Sequence, residues 1–250
     1  MKIGLIDVDS HSGYPNLPLM KISAWHKSKG DEVEWYDPWQ GLIQEYDKVY
    51  ISKVFSFTPD YEHPIYAKEI EKGGSGYCIS LVNGKEVFDK SKDKELPYEI
   101  EHIYPDYSIY GITDTAYGFL TRGCPRGCGF CHTGAKDGLF STKVADLTEF
   151  WQGQKNLCLF DQNILACKDW KDLLQQLIDS KANVEFNGGL DIRLMTEEKA
   201  NMIAKIRTHI IHFAWDNYED GQWIKPKLEM FKKICDRGHR IVVYVLWFEE

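Results

Sequence analysis

The amino-acid sequence predicts an α/β protein in which two series of parallel β-strands alternate with helices. Short apolar runs alternate with amphipathic stretches in the N-terminal third, and this rhythm stops between about residues 82 and 114. A second series of the same kind then begins, and polar residues follow its strands. We therefore predict a doubly wound domain over 1–112 and a second β/α domain over 113–250.

Composition limits the classes of function that the chain can have. Of its 250 residues, 43% are hydrophobic and 27% are charged, which excludes bulk disorder and supplies a sizeable core. The net charge of -8 does not indicate a nucleic-acid surface. No apolar run approaches the roughly 18 residues of a membrane span, and the start turns polar before a signal-peptide core forms. We therefore expect a cytoplasmic protein.

The first series has the order expected of a doubly wound sheet with crossover helices. Glycines at Gly73, Gly74 and Gly76 are expected to end its second helix. The polar stretch that follows and the prolines Pro97 and Pro105 place the domain junction near 100–115. The predicted strands are 2–8, 32–36 and 48–55, and the predicted helices are 17–29 and 64–72.

The second series places its polar residues where the strands end. The predicted strands are 117–121, 157–160, 184–186, 210–215 and 241–248, and the predicted helices are 145–152, 170–180, 197–206 and 225–237. Loops at the carboxyl ends of parallel strands converge on one mouth, so these residues are expected to lie together. They are Cys124, Cys128, Cys131, Asp161, Gln162, Asn163, Asn187, Asp191, Arg193, Asp216 and Asn217.

A cysteine loop carries the strongest chemical signal in the chain. The segment 121–132 reads TRGCPRGCGFCH, with three thiols spaced C-x3-C-x2-C. Cysteine thiolates are the usual protein ligands of iron–sulfur clusters, and a four-iron cluster held entirely by protein uses four of them. Three thiolates would leave one iron open to an outside ligand, as a catalytic zinc keeps an open position. The total of seven cysteines is odd and does not indicate a secreted disulfide framework.

With Phe130 directly before the last cysteine, this loop resembles that of the radical S-adenosylmethionine (radical SAM) superfamily. The resemblance implies that Cys124, Cys128 and Cys131 hold a 4Fe-4S cluster whose open iron chelates S-adenosylmethionine, with Phe130 against the adenine. It further implies reductive cleavage of S-adenosylmethionine to methionine and a 5'-deoxyadenosyl radical. That radical would abstract hydrogen from an unknown substrate. An electron donor such as flavodoxin or ferredoxin would be a partner.

The same resemblance implies a radical SAM barrel of six β/α units in the second domain. Only five strands are predicted, and the last of them reaches the end of the sequence. Such a strand would leave an exposed sheet edge. We therefore expect a partial (β/α)6 barrel, either because the sequence is a fragment or because a partner or the N-terminal domain closes the barrel.

Other polar residues at the predicted mouth are candidates for binding the cofactor. Asp161 and Asn163 could bind its ribose hydroxyls or amino group, or could merely cap the next segment. Many family members have a glycine-glycine-glutamate motif near this point, and this sequence does not. If 191–193 is extended, Asp191 and Arg193 point to the same face, and Arg193 could clamp a carboxylate of cofactor or substrate. The alternative is a salt bridge within the barrel mouth. Asp216 offers a carboxylate at the rim, or marks a plain turn.

The N-terminal domain resembles the cobalamin-binding domain that precedes the barrel in one radical SAM branch. The likeness lies in its βα order and in the glycine-rich cluster 73–77. The cobalamin ligand of that branch lies in an Asp-x-His-x-x-Gly motif, whereas here Asp9 and His11 are followed by Tyr14 at the glycine position. We therefore expect a degenerate domain that does not bind cobalamin.

Two alternative functions stay open at this point. One is a cobalamin-dependent radical SAM methyltransferase that uses the same cluster. The other is a non-enzymatic zinc protein in which His132 completes a Cys3His set, although the adjacent Cys131 and His132 would strain a tetrahedral shell. The remaining cysteines are expected to be buried and inert, and they are Cys78, Cys158, Cys167 and Cys235.

Overall fold

The computed structural model describes residues 1–83, 85–235 and 240–246. The chain divides into two compact units, Met1–Thr113 and Asp114–Glu250. Both units are α/β, and their main sheets are parallel. In the described ranges, no helix has the length and apolar character needed to cross a membrane.

The first unit is built on a four-stranded parallel sheet in the order β2-β1-β3-β4. The chain leaves the central strand β1 in one direction to form β2, then crosses to the other side to form β3. The strand order therefore reverses direction at β1. The strands are β1 (Lys2–Asp7), β2 (Glu32–Trp35), β3 (Tyr46–Ser52) and β4 (Ala67–Gly73), and the helices of this part are α1 (Leu17–Ser28) and α2 (Pro38–Ile43).

Asn16 connects the start of α1 to the end of the central sheet. Its side-chain oxygen accepts a hydrogen bond from the Leu19 amide at 3.3 Å, which caps the helix. Its side-chain nitrogen donates to Ser52 Oγ at 2.9 Å, at the last residue of β3. The apolar residues of β1 and α1 then pack as one core, in which Ile3, Leu5 and Leu19 are almost fully buried.

The prediction of a helix at 64–72 is wrong, because this segment forms the parallel strand β4. Its side chains are mostly exposed and charged, so the apolar pattern that distinguishes a helix from a strand is weak. The segment pairs in parallel with β3, and ion pairs accompany the pairing: the Lys48 ammonium lies 2.7 Å from Glu71 and 3.6 Å from Glu69.

The glycines after this segment follow a strand and do not end a helix. Gly74 has a φ of +100°, and a Cβ at this residue would lie 2.2 Å from the carbonyl oxygen of Lys53. The region without a predicted rhythm contains an antiparallel hairpin and one short helix. They are β5 (Ile79–Val82), β6 (Lys85–Phe88) and α3 (Tyr98–Glu101).

In the second unit, the parallel strands of the described residues lie side by side in chain order. A three-stranded parallel sheet and a two-stranded parallel sheet are joined by single bridges between Asn183 and Arg207 and between Leu190 and Phe213. The parallel strands are β7 (Thr115–Gly118), β10 (Asn156–Leu159), β11 (Asn183–Phe186), β12 (Ile210–Trp215) and β13 (Arg240–Val245). A small antiparallel pair consists of β8 (Thr121–Arg122) and β9 (Thr142–Lys143).

The helices of this unit are α4 (Thr133–Lys136), α5 (Trp170–Ser180), α6 (Glu197–Ile203) and α7 (Gly221–Ile234). Helix α5 has the predicted bounds, α6 ends three residues before the predicted 206, α7 begins four residues before the predicted 225, and α4 was not predicted. The predicted helix 145–152 is wrong, because only a single 3-10 turn, Leu147–Glu149, forms there. Leu147 and Phe150 are both buried and lie three residues apart, so one turn is enough to bury them.

The predicted strand 117–121 also needs correction, because it divides into β7 and the separate strand β8. Residues 236–237 of the predicted helix 225–237 and residues 247–248 of the predicted strand 241–248 lie outside the described residues.

Candidate functional site

The cysteine loop leaves the sheet through a backbone turn that requires glycine. Gly123 has a φ of +89°, and a Cβ there would lie 2.1 Å from the carbonyl oxygen of Phe140. The next residue, Cys124, donates its amide to the Gly138 carbonyl at 3.2 Å, and Cys131 donates its amide to the Cys128 carbonyl at 3.0 Å. The loop is therefore held by backbone contacts at its entrance and near its last cysteine.

All three cysteines of the loop are free thiols. Cys124 and Cys128 are partly buried, and Cys131 is exposed. Burial raises the pKa of the Cys128 thiol, the carboxylate of Asp216 and the other two thiols raise it further, and Arg193 lowers it. The charges of Asp216 and Arg193 thus act on the Cys128 thiol in opposite directions.

Asp161 lies at the end of β10 and holds the chain that enters the cysteine loop. Its Oδ1 accepts hydrogen bonds from the amide and the hydroxyl of Thr121, both at 2.6 Å, and its Oδ2 accepts from the Leu120 amide at 3.1 Å. The residue is only 4% exposed, and burial raises the pKa of Asp161 to about 6. Both carboxylate oxygens are therefore engaged inside the protein, and the binding of a cofactor by Asp161 stays a prediction.

Asp161 gives rise to a pH prediction. Relative to Asp161→Asn, the wild type is expected to lose stability as the pH rises from about 4 to about 6, because the folded state binds this proton more tightly than the unfolded state does. The free energy of unfolding is unchanged below the pKa that Asp161 has in the unfolded state. Above its pKa in the folded state the full loss of ~3 kcal/mol is reached. Urea unfolding of both proteins between pH 4 and 7 measures it. A difference that stays constant with pH would contradict the prediction.

Gln162, the next residue, contacts the cysteine loop directly. Its side-chain oxygen accepts from the Gly123 amide at 3.2 Å, and its side-chain nitrogen donates to Asp137 Oδ2 at 2.9 Å. Asp137 was not found by sequence reasoning. Its position shortly after the cysteines is the signal that could have identified it.

Asn163 connects Cys124 to the charged groups of the mouth. Its side-chain nitrogen lies 3.4 Å from Cys124 Sγ and 3.3 Å from Asp191 Oδ2. The residue is 2% exposed, and its Oδ1 is buried without a hydrogen-bond partner in the described part of the chain. An N–H donor beside a cysteine sulfur is a common feature of iron–sulfur sites, since such hydrogen bonds tune the cluster.

Asp191 collects four hydrogen bonds from three residues. It accepts from Arg126 Nε at 2.5 Å, from Asn163, and from the amide and Nε of Arg193 at 3.1 and 2.8 Å. Arg193 also binds Asp220 at 2.9 Å. Although burial alone would raise the pKa of Asp191, the hydrogen bonds from Arg126 and Arg193 hold it below its usual range.

This network replaces the extended 191–193 segment considered from the sequence. Asp191 instead caps a 3-10 turn, Ile192–Leu194, and forms the salt bridge with Arg193 that was the alternative interpretation. Sequence reasoning missed Arg126, whose position between Cys124 and Cys128 is the only local signal. The Arg126–Asp191 contact joins the cysteine loop to the end of β11.

The donor set of the loop fits an iron–sulfur cluster. It consists of three free thiols on one short segment, with the amide of Asn163 beside the first. Within residues 1–83, 85–235 and 240–246, no three His, Cys, Asp or Glu side chains are placed so that together they could hold a metal ion.

The remaining predicted residues of the loop and the other cysteines lie as follows. Phe130 is 59% exposed on the loop. The other cysteines are buried, as expected, and they are Cys78, Cys158, Cys167 and Cys235.

In the first unit, the residues that resemble a cobalamin motif lie just after β1. His11 is exposed on the 3-10 turn Ser10–Ser12. Asp9 is buried, and its Oδ2 accepts from the amides of Val54 at 2.5 Å and Phe55 at 3.4 Å. Asp9 therefore holds the loop after β3.

Comparisons with known proteins reveal similarity in structure. No protein-family model and no curated protein sequence matches the chain. A structure of the radical S-adenosylmethionine methyltransferase TsrM from Kitasatospora setae, with tryptophan substrate and the SAM analogue aza-SAM bound, has a TM-score of 0.64 at 12% identity. The match covers 97% of this chain and 67% of that chain.

A second TsrM structure, with cobalamin and a [4Fe-4S] cluster bound, has a TM-score of 0.64 at 12% identity and covers 98% of this chain and 69% of that chain. Its cobalamin is a property of TsrM, and it gives no support to the expectation that this chain lacks cobalamin. At this level of identity the similarity concerns the fold. The chain therefore shares a fold with TsrM.

Proposed function

We propose that this protein is a radical SAM enzyme in which Cys124, Cys128 and Cys131 hold a 4Fe-4S cluster. The observation that carries the proposal is the C-x3-C-x2-C loop at the carboxyl end of β7, in a chain that shares a fold with TsrM. The cluster in the second TsrM structure supports the same assignment. Three thiolates leave one iron of such a cluster open to S-adenosylmethionine.

The cluster, reduced by a donor such as flavodoxin or ferredoxin, would supply the one electron that splits the C5'–S bond of S-adenosylmethionine into methionine and a 5'-deoxyadenosyl radical. The residues of this chain bind and orient that cofactor. Phe130 would pack against the adenine, and Asn163, whose Oδ1 has no hydrogen-bond partner among the described residues, would bind its amino group or a ribose hydroxyl. Arg193 and Asp216 supply charges beside Cys128, and Asp161 positions the loop.

The two units have separate roles in this proposal. The second unit would be a partial (β/α)6 barrel, and the five parallel strands of its described residues, which lie in chain order, support this. The first unit is a Rossmann-like, cobalamin-binding-like domain whose strand order is β2-β1-β3-β4. Hydrogen abstraction from the substrate would take place at the mouth of the barrel, where the loops exclude water from the radical.

A cobalamin-dependent methyltransferase is the second candidate function. The observation that favours it is the cobalamin in the second TsrM structure. In this chain His11 lies on an exposed turn after β1, where a corrinoid could approach it. Tyr14 at the glycine position of the family motif argues for the first candidate.

Anaerobic reconstitution with iron and sulfide tests the proposal. The wild type is expected to turn brown, to hold about four irons and four sulfides, and to form 5'-deoxyadenosine when reduced with S-adenosylmethionine. Cys128→Ala is expected to lose most of both signals. The matched control is Cys235→Ala, because Cys235 is a buried thiol at the end of α7. It is expected to load and react like the wild type.

Three outcomes separate the alternatives. A colourless protein with stoichiometric zinc and without sulfide would contradict the proposal and favour the zinc protein. Retention of added hydroxocobalamin through gel filtration, with visible bands that change in His11→Ala, would favour the methyltransferase. Deoxyadenosine formation without retained cobalamin would favour the first candidate.

A further inference from the structure

The first unit contains a cavity of about 1000 Å³ at the carboxyl ends of β1 and β2. Its walls come from these two strand ends, from the loop 59–63 and from the turn Tyr107–Tyr110. The carboxyl edge of a parallel sheet is where α/β proteins commonly bind small molecules. None of the lining residues belongs to the cysteine site, so this inference does not rest on the proposed function.

Aromatic rings form much of the wall. Trp35 and Tyr110 meet edge to face with their ring centroids 5.0 Å apart, and Tyr36 and Tyr61 meet in the same way at 6.1 Å. Trp35 is 39% exposed. An exposed indole at the rim of a cavity offers an apolar and π-rich surface to a ligand.

The hydrogen-bond donors on three of these rings already have protein acceptors. Trp35 Nε1 donates to the Ile109 carbonyl at 2.9 Å, and the Tyr36 hydroxyl donates to the Pro64 carbonyl at 3.1 Å. The Tyr110 hydroxyl donates to Asp7 Oδ2 at 2.6 Å. The aromatic wall therefore offers ring faces and acceptor oxygens to a ligand.

The charged groups that line the cavity are carboxylates, with His63 beside them. Asp60 is neutralised by Lys72 at 2.8 Å, but Asp7 and Glu62 have no Lys or Arg partner among the described residues. The lining that the structure describes contains no Lys or Arg either. Burial raises the pKa of Asp7, even though Tyr110 and the Asp9 amide donate to it. A cation beside Asp7 would offset this cost of burial.

We propose that this cavity binds an organic cation, namely an ammonium group carried on an apolar or aromatic body. The ammonium would donate to Asp7, near the carboxylate of Glu62, and the body would lie along Trp35 and Tyr110. Charge-assisted hydrogen bonds and cation–π contacts both favour such a ligand. A phosphate-bearing ligand would meet the carboxylates of Asp7 and Glu62, which have no lysine or arginine partner among the described residues.

Three probes of matched shape test the proposal on the full chain without S-adenosylmethionine. They are 2-phenylethylammonium, 2-phenylethanol and phenylacetate, which carry a positive, a neutral and a negative group on the same ring. Ligand-observed NMR titration at pH 7.5 is expected to show the ammonium binding about tenfold more tightly than the alcohol, and phenylacetate more weakly than either. Equal binding of ammonium and alcohol, preference for phenylacetate, or no binding of the ammonium would overturn the proposal.

Variants locate the binding. Asp7→Asn keeps the shape and removes the charge, so it is expected to erase the preference for ammonium and to leave the affinity for the alcohol unchanged. Glu62→Gln is expected to reduce the preference and provides a second reading if Asp7→Asn fails to fold. Glu69→Gln, an exposed change on β4, is the control. A preference that survives both cavity variants, or that falls equally in the control, would overturn the proposal.

Discussion

Gly123→Ala is expected to prevent assembly of the cysteine centre. The residue combines a φ of +89° with a position in which a Cβ would lie 2.1 Å from the Phe140 carbonyl oxygen and 3.0 Å from that of Asp137. Both neighbours are backbone atoms, so neither can rotate away, and a left-handed residue with a side chain adds its own strain. The segment that leads into Cys124 must therefore move.

We expect iron and sulfide content after anaerobic reconstitution to fall at least about tenfold in Gly123→Ala, with a loss of at least about 2 kcal/mol in the free energy of unfolding. The matched control is Gly129→Ala in the same loop. A Cβ at Gly129 would meet no heavy atom within 4 Å, and its φ lies outside the left-handed region. If both variants take up equal iron, the loop path described here is wrong.

Asp191→Ala is expected to have the second large effect. The change leaves the guanidinium groups of Arg126 and Arg193 without their shared acceptor at a side chain that is only 6% exposed. Removing one partner of a buried ion pair is costly, so we expect a loss on the order of 3 kcal/mol. We also expect lower iron uptake, because Arg126 no longer fixes the loop between Cys124 and Cys128.

Urea unfolding and iron content measure the two effects, and electron paramagnetic resonance of the reduced cluster adds a signature of its surroundings. Asp191→Asn retains acceptor capacity and is expected to lie between the wild type and Asp191→Ala in all three measurements. The control is Asp172→Asn, an exposed carboxylate on α5 whose contact with Lys143 is 3.6 Å long. Surface pairs of this kind contribute little to stability. An Asp191→Ala protein that matches this control would refute the proposed role of Asp191.

The proposed catalytic chemistry and the cation cavity depend on different residues. The cysteine variants and Gly123→Ala probe the second unit, whereas Asp7 and Glu62 lie in the first. A protein that fails to load iron can therefore still bind the ammonium probe, and the reverse also holds. The experiments therefore test the two proposals independently.

Strongly patterned elements could be predicted from the sequence. Helix α5 has the predicted bounds 170–180, since Leu173, Leu174 and Leu177 form one buried stripe. Strand β12 has the predicted bounds 210–215 for a similar reason, because its run of mostly apolar residues is long enough to predict a buried strand. Segments with few apolar residues could not be assigned in this way. Most of 64–72 forms a strand that pairs with β3, and these contacts join residues that are distant in the sequence.

The sequence by itself determined the cysteine spacing, the order of the strongly apolar parallel strands along the chain and the polar residues that follow them, because each of these is a local property of neighbouring residues. Only the tertiary structure decided what those polar residues do. Asp161 turns inward to bind Thr121, and Asp191 binds Arg126 across 65 residues of sequence. The cavity likewise combines Asp7 with Tyr110. Such partners are set by the packing of strand ends against loops, and no pattern of adjacent residues contains that information.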